Sequence, residues 1–285
     1  IGSVAVPILP EFHTSEIHHI LRHSEARALF VSERYYHRVE DLDFTSFAFV
    51  SLLDTFSVID TDLTKAAIRR LIAEGSRELR RIRNIALRLV GLIPTEVKPD
   101  DAAAIIYTSG TTGHSKGVML SHRNIACNAS AGAIIQPLSP EDRTLSILPL
   151  AHVYECTLGL VLPILEGASI YYLRKPPTAA VLLPALERIR PSIILTVPLI
   201  IEKIYKTRIL PKIQERWLLR KLSALPALRR RIHRMAGKKL LALFGGRLKF
   251  FGIGGAAVSP DVEQFLRDAK FPYAIGYGLT ETSPL

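Results

Sequence analysis

Residues 102–117 read Ala102-Ala103-Ala104-Ile105-Ile106-Tyr107-Thr108-Ser109-Gly110-Thr111-Thr112-Gly113-His114-Ser115-Lys116-Gly117. An apolar run passes without a break into residues 107–117, which hold three glycines, five Ser/Thr hydroxyls and one lysine. Glycine lets backbone N–H groups approach a ligand closely and adopt positive φ. Hydroxyls donate to phosphate oxygens, and Lys116 adds a positive charge. The stretch therefore reads as a polyphosphate-holding loop leaving the end of a buried strand. In open α/β sheets, ligands bind at that edge. The bland alternative is a flexible polar loop, which the dense glycine and hydroxyl spacing argues against.

The generic phosphate loop G-x-x-x-x-G-K-[ST] does not fit. Counted from Gly110, the sixth position is Ser115, and Gly117 follows the lysine. The following Val118-Met119-Leu120-Ser121-His122 has the pattern of a short strand, not of the helix that such a loop opens.

Outward from the loop, strands and helices alternate. Short apolar runs predict strands at residues 4–9, 28–32, 47–53, 145–148, 169–173, 193–197, 248–252 and 273–277. Helical patterns fall at 14–23, with Ser15 as N-cap, and at 123–135, 178–188, 198–207 and 260–270. A long basic amphipathic helix is expected over 62–92. Such alternation implies a doubly wound, mostly parallel α/β fold. No internal repeat or low-complexity segment interrupts it.

Three more segments stand out. Leu148-Pro149-Leu150-Ala151-His152-Val153-Tyr154-Glu155 follows one predicted strand, Gly254-Gly255-Ala256 another, and Gly276-Tyr277-Gly278-Leu279-Thr280-Glu281-Thr282-Ser283 a third. Read alone, Thr280 and Glu281 equally suit the cap and first acid of a helix. Tyr277 suits a core as well as a stacking position, the glycine pair suits an ordinary turn, and His152 suits a satisfied core histidine.

Together with Tyr107–Gly117 and the Val-Met-Leu-Ser-His-Arg-Asn that follows, these segments resemble the signatures of the adenylate-forming enzymes. That superfamily holds acyl-CoA synthetases, peptide-synthetase adenylation domains and luciferases. The Leu148–Glu155 segment resembles the long-chain fatty acyl-CoA synthetase branch. His114 departs from the proline that many members carry there.

The resemblance implies two stacked α/β subdomains, over 1–130 and 131–285, of a larger enzyme whose β-barrel and C-terminal domain would follow. It implies ATP, Mg²⁺ and coenzyme A. A carboxylate attacks the α-phosphate to give acyl-AMP and pyrophosphate, and a thiol then displaces AMP. Thr108, Ser109, Gly110, Thr111, Thr112, Gly113 and Lys116 would hold the β- and γ-phosphates, and Thr280 the α-phosphate. Glu281 would ligate Mg²⁺. Gly254, Gly255, Ala256, Tyr277 and Gly278 would form the adenine site. His152 would sit near the acyl carboxylate, with Val153, Tyr154 and Gly255 along the acyl path. Glu155 has no assigned role, and His122 a structural one. Lys116, Thr280, Glu281 and His152 are the candidate catalytic residues. An acyl carrier protein as thiol acceptor, or a non-catalytic basic module, are the competing expectations, and the isolated chain is expected to turn over little.

The 285-residue chain is long enough for a large core, and its 48% hydrophobic content excludes a disordered protein. Two cysteines 29 positions apart, Cys127 and Cys156, form no disulfide framework or metal motif, consistent with the cytoplasm. No apolar run reaches the roughly 18–20 residues of a membrane span. The net charge of +11 has one source: residues 203–249 hold fifteen Lys/Arg and one acid, Glu215. That segment carries +14 and the remainder −3. It carries few aromatics, mainly Tyr205, Trp217 and Phe244, and no nucleic-acid-binding motif. Leucines among its arginines fit either a solvated face or peripheral attachment to an anionic membrane.

Overall fold

The computed structural model describes residues 3–42, 47, 49–60, 97–108, 115–214 and 225–285. The basic helix expected over 62–92 and the leucines at 218, 219 and 222 lie outside these residues. The chain divides into two compact units, Ile1–Arg123 and Asn124–Leu285.

In the first unit, α1 (Thr14–His23) buries Ile17, Ile20 and Leu21, which recur at helical spacing. Its N-cap is His13, not the expected Ser15. The His13 Nδ1 accepts from the Ser15 N–H, while the Glu16 carboxylate accepts from the His13 N–H at 2.9 Å. The imidazole thus does what a short oxygen side chain does in an ordinary capping box. β1 (Ala28–Val31) runs parallel to β2 (Phe49–Leu52), which is antiparallel to β3 (Val58–Asp60); α2 (Glu33–Tyr36) follows β1. Ile20, Leu29, Val31, Val50 and Tyr107 share one core with the buried face of α1.

Residues 4–9 do not form the expected strand. Ala5 makes a single parallel bridge to Ala104, because Pro7 and Pro10 interrupt the ladder of donors. β4 (Ala102–Thr108) and β5 (Lys116–Ser121) form an antiparallel pair. The strand before the glycine-rich stretch is thus paired antiparallel with the strand after it, and is not a strand of an open parallel sheet.

The second unit is built on a five-stranded sheet of order β10-β9-β8-β6-β7. Its strands are β6 (Arg143–Ser146), β7 (Ser169–Tyr172), β8 (Ile193–Thr196), β9 (Phe250–Ile253) and β10 (Tyr273–Ile275), and every pairing is parallel. Parallel strands need crossovers, and helices supply them. A helix opening as π1 (Glu155–Val161) and continuing as α4 (Leu162–Leu165) joins β6 to β7, and α5 (Ala179–Ile189) joins β7 to β8. α6 (Pro198–Ile204), π2 (Tyr205–Ile209), α7 (Leu210–Gln214) and α8 (Pro226–Leu243) lie between β8 and β9, and α9 (Pro260–Ala269) precedes β10. α3 (His122–Ile135) precedes β6.

Both faces of the sheet are covered, so all four β8 residues are buried. Ile194 joins the large core with Leu145, Phe251, Phe265 and Leu266, whereas Leu195 faces Ala129, Leu158 and Leu162. The chain steps from β6 outward to β7, then returns past β6 to β8. That reversal makes the gap between β6 and β8 a topological switch point, where open α/β sheets bind ligands beyond the strands' C-terminal ends.

Candidate active site

In the second unit, three of the singled-out segments leave C-terminal strand ends. Leu148–Glu155 follows β6 at the switch point, Gly254–Ala256 follows β9, and Gly276–Ser283 follows β10. The last two leave adjacent strands, and the Gly276 N–H donates to the Ile253 carbonyl at 2.8 Å.

After β6 the chain turns at Pro149, whose carbonyl accepts from the His152 N–H at 3.0 Å. The His152 carbonyl accepts from the Cys156 N–H at 2.9 Å, so His152 stands at the mouth of a helical turn. Its ring is exposed, with no hydrogen-bond partner among the described residues. Val153 points into the core. Tyr154 lies across Gly252 in β9 and Gly254 after it: a Cβ at Gly252 would be 2.7 Å from its hydroxyl, and one at Gly254 would be 3.2 Å from its ring. Burial, with the Glu155 carboxyl beside it, raises the Tyr154 hydroxyl well above its ordinary value.

The two glycines after β9 have different reasons. Gly254 is buried beneath Tyr154, and its N–H donates to the Thr196 carbonyl at 3.0 Å. Gly255 has φ 86°, a conformation that side-chain-bearing residues rarely adopt. Ala256 is exposed.

Beyond β10, Tyr277 projects with 90% of its surface exposed. A Cβ at Gly278 would run into the Pro284 carbonyl. Thr280–Thr282 form one 3-10 turn, closed by the Leu279 N–H donating to the Thr282 hydroxyl at 2.9 Å. In place of the helix start that Thr280 and Glu281 suit when read alone, there is a short turn that leaves Glu281 exposed. Among the described residues Glu281 has no ion pair or hydrogen-bond partner, and no group of three acidic, histidine or cysteine side chains forms a metal cage. A lone free carboxylate fits Mg²⁺, which keeps its waters and is shared with substrate phosphates.

In the first unit, Lys116 opens β5 opposite Thr108, and its side chain is exposed. Ser109, Gly110, Thr111, Thr112, Gly113 and His114 lie outside the described residues. β4, which leads into them, is anchored by Tyr107, whose hydroxyl meets His23 Nδ1 at 2.7 Å. Gly117, opposite Tyr107, leaves room for the ring, since a Cβ there would be 3.2 Å from Tyr107 Cζ and 2.9 Å from Ile105 Cγ2. The tyrosine that opens the motif is a core anchor.

Two residues escaped the sequence reading. Asn128 on α3 donates its side-chain N–H to the Thr282 carbonyl at 3.0 Å and accepts from the Leu285 N–H at 3.2 Å. It pins the turn that carries Glu281. Its one signal was an asparagine inside a helix, where that residue is a poor former. The second, named in the sequence but left without a role, is Glu155, buried at 1% exposure. Both cysteines are free thiols. A groove of about 420 Å³ lined by Arg143, Tyr172, Arg174 and Arg188 shares no residue with these segments.

Comparison with known proteins shows the family and the fold. The AMP-binding enzyme family matches residues 1–285. The chain belongs to that family. Among curated relatives of this AMP-binding enzyme, it is 34% identical over 198 residues to Long-chain-fatty-acid–CoA ligase 4 of Saccharomyces cerevisiae. It is 32% identical over 201 residues to the peroxisomal Long chain acyl-CoA synthetase 7 of Arabidopsis thaliana. Each match takes in 65% of this chain and 28% of the relative, so the chain spans well under half of those proteins. Among solved structures, the inhibitor-bound N-terminal domain of FACL13 from Mycobacterium tuberculosis superposes with a TM-score of 0.66 at 19% identity, over 98% of this chain and 57% of that one. ATP-bound MatB from Rhodopseudomonas palustris gives 0.66 at 20% identity, over 99% and 46%. Both place the chain in the α/β fold of this family's N-terminal domain. No helix among the described residues is long and apolar enough to cross a membrane.

Proposed function

We propose that the complete protein is an AMP-forming ligase that activates a long-chain fatty acid and transfers it to the thiol of coenzyme A. The observation that carries this reading is the family match over residues 1–285, with relatives at 34% and 32% identity that are named as long-chain ligases. In the first half-reaction a carboxylate oxygen attacks the α-phosphorus of ATP, and the bond to pyrophosphate breaks. In the second, the thiol sulfur attacks the acyl carbon and AMP leaves.

The chain's own residues supply binding and charge. Lys116 and the hydroxyls of Thr108, Ser109, Thr111 and Thr112 hold the β- and γ-phosphates, with Gly110 and Gly113 giving backbone access. Thr280 donates to the α-phosphate. Gly254, Gly255, Ala256 and Gly278 face the adenine, and Tyr277, already exposed, stacks on it. His152 orients the acyl carboxylate, and Val153, Tyr154 and Gly255 border the acyl path. Glu281 would hold Mg²⁺, which neutralises triphosphate charge when bound. Preorganised charge of this kind is typically the largest catalytic contribution.

Fatty-acid-dependent ATP–pyrophosphate exchange by the complete protein, over a panel of carboxylates, is the direct test. Lys116→Ala and Glu281→Ala should each lower exchange by roughly 10²–10³-fold. If no carboxylate supports exchange, the ligase reading fails.

A second reading concerns location. α8 has no acidic residue, and Arg230, Arg231, Arg234, Lys238 and Lys239 share its exposed side with Met235, while His233, Gly237 and Leu240 face inward. This stripe favours attachment to an anionic membrane surface, where a lipid-activating enzyme meets its substrate.

A further inference from the structure

Glu155 presents a physical problem that the proposed chemistry does not use. Its side chain is 1% exposed, and neither Oε1 nor Oε2 has a hydrogen-bond partner among the described residues. The hydroxyls of Thr157, two residues on, and of Thr144, on the adjoining β6, are likewise buried without partners. An isolated carboxylate in such a place costs several kcal/mol or more, whereas a neutral acid brings its own O–H donor. Among the described residues no basic side chain offsets the burial, which pushes the carboxyl up to about 7, with the nearby Ser146 hydroxyl on β6 pulling it partly back.

The backbone is shaped around this group. π1 is wound one residue wider than an α-helix, with the Leu162 N–H reaching the Thr157 carbonyl five residues back. Pro163 has no N–H to continue an α ladder and helps relax the preceding turns. Single π turns inside helices are frequent at functional sites. The Glu155 carboxyl folds back onto Gly159, where a Cβ would lie 2.6 Å from Glu155 Cδ and 2.7 Å from Oε1. One residue before Glu155, Tyr154 crosses Gly252 and Gly254. Three residues before it stands His152.

We propose that Glu155 is a positioning residue for the acyl site: as an uncharged carboxylic acid seated on Gly159, it sets the π turn that lays Tyr154 over Gly254 and presents His152. This role rests on the acyl-ligase reading and deepens it. An anion at Glu155 would strain the buried turn. It would also place a like charge near the incoming fatty carboxylate. The titratable groups that feel it are Tyr154 and Cys156 on its own segment and Tyr172 on β7. All three are neutral acids that it raises, and β6 contributes hydroxyls alone among the groups acting on it.

The test uses the complete protein, with wild type, Glu155→Gln and Glu155→Leu compared by exchange kinetics between about pH 5.5 and 8.5. Glu155→Gln keeps a neutral polar group of the same size, and its KM for fatty acid should stay within about twofold of the wild-type value at low pH. The wild-type KM should climb above pH 7, approaching roughly tenfold per unit if the acid form alone binds, while Glu155→Gln stays flat over that range. Glu155→Leu fills the space without an O–H and should raise the fatty-acid KM by about tenfold with the KM for ATP unchanged. Infrared spectra should show a carboxylic-acid C=O band in wild type that Glu155→Gln lacks. Glu155→Gln as impaired as Glu155→Leu, a pH profile shared by wild type and Glu155→Gln, or no acid band would each overturn the positioning role alone. Wild type without exchange on any carboxylate would overturn the ligase reading together with it.

Discussion

Gly252 in β9 and Gly254 just after it set where Tyr154 can lie. A methyl at Gly252 would meet the Tyr154 hydroxyl at 2.7 Å and Leu195 Cδ2 at 2.8 Å, both closer than real Cβ contacts allow. Gly252→Ala should therefore cost about 1–3 kcal/mol of stability, as overpacking does. Tyr154→Phe removes the hydroxyl, so the double variant should recover part of that loss. Thermal unfolding of the four proteins closes the cycle, and strict additivity would mean that the two groups do not meet. Glu155 makes a different expectation at the same scale. Its carboxyl moves from an ordinary 4.5 to about 7 on folding. Between those values the folded protein holds a proton that the unfolded chain has released, so stability falls as pH rises from 4.5 to 7. The loss approaches about 3 kcal/mol. Glu155→Gln should therefore gain on wild type across that window and by no more above it. A difference in unfolding free energy that ignores pH would show the group ionised in the fold.

α8 and α9 are held together by one carboxylate. Asp268 accepts from Arg229 Nε at 3.0 Å, from Gln264 Nε2 at 2.9 Å and from His233 Nδ1 at 3.0 Å, and His233 packs edge-on against Phe265. Asp268→Ala strands the buried His233 and the half-buried Arg229 on α8 and Gln264 on α9, and should cost about 3 kcal/mol. Asp268→Asn, which keeps an acceptor, should cost less in denaturant unfolding, and equal costs would deny the carboxylate this role. Such clamps were not legible in the sequence, because their members are far apart in it. The parallel strands were, since β8, β9 and β10 are short apolar runs between glycines, prolines and helix starts. β6 was misplaced by two residues. It begins at Arg143, whose guanidinium donates to the Ile189 carbonyl at 3.0 Å, and the apolar Ile147 and Leu148 that attracted the reading follow it. The π widening at Glu155 leaves no trace in hydrophobic periodicity. The glycine turns after β9 and β10 were readable because backbone geometry demands particular residues there. Asn128 was not, because its partner at Thr282 is 154 positions away.

Charge is a property of the whole molecule, and here it is lopsided. Residues 203–249 carry +14 and the rest −3, so electrostatic attraction should orient the protein as well as bind it. Not every cation in the segment is free to act at a distance. Lys249 pairs with the buried Asp142 at 2.8 Å, and Arg229 is taken by Asp268. The exposed side of α8 is different: Arg230, Arg231, Arg234, Lys238 and Lys239 have no acidic partner among the described residues, and Met235, 62% exposed, adds an apolar contact among them. Each cation near an anionic bilayer is worth about 1 kcal/mol, so reversing three of them should weaken vesicle binding by at least about a hundredfold. The experiment is co-sedimentation of the complete protein with phosphatidylserine-containing vesicles, comparing wild type with Arg230→Glu/Arg234→Glu/Lys238→Glu. Binding should fall steeply with added salt, and exchange on a short soluble carboxylate should be unchanged, since the stripe lies apart in sequence from every residue placed at the nucleotide. Equal binding to neutral phosphatidylcholine vesicles, or no loss in the triple variant, would show α8 to be a solvated face. Tighter binding to an oligonucleotide than to the anionic vesicles at the same salt would reassign the stripe to nucleic acid.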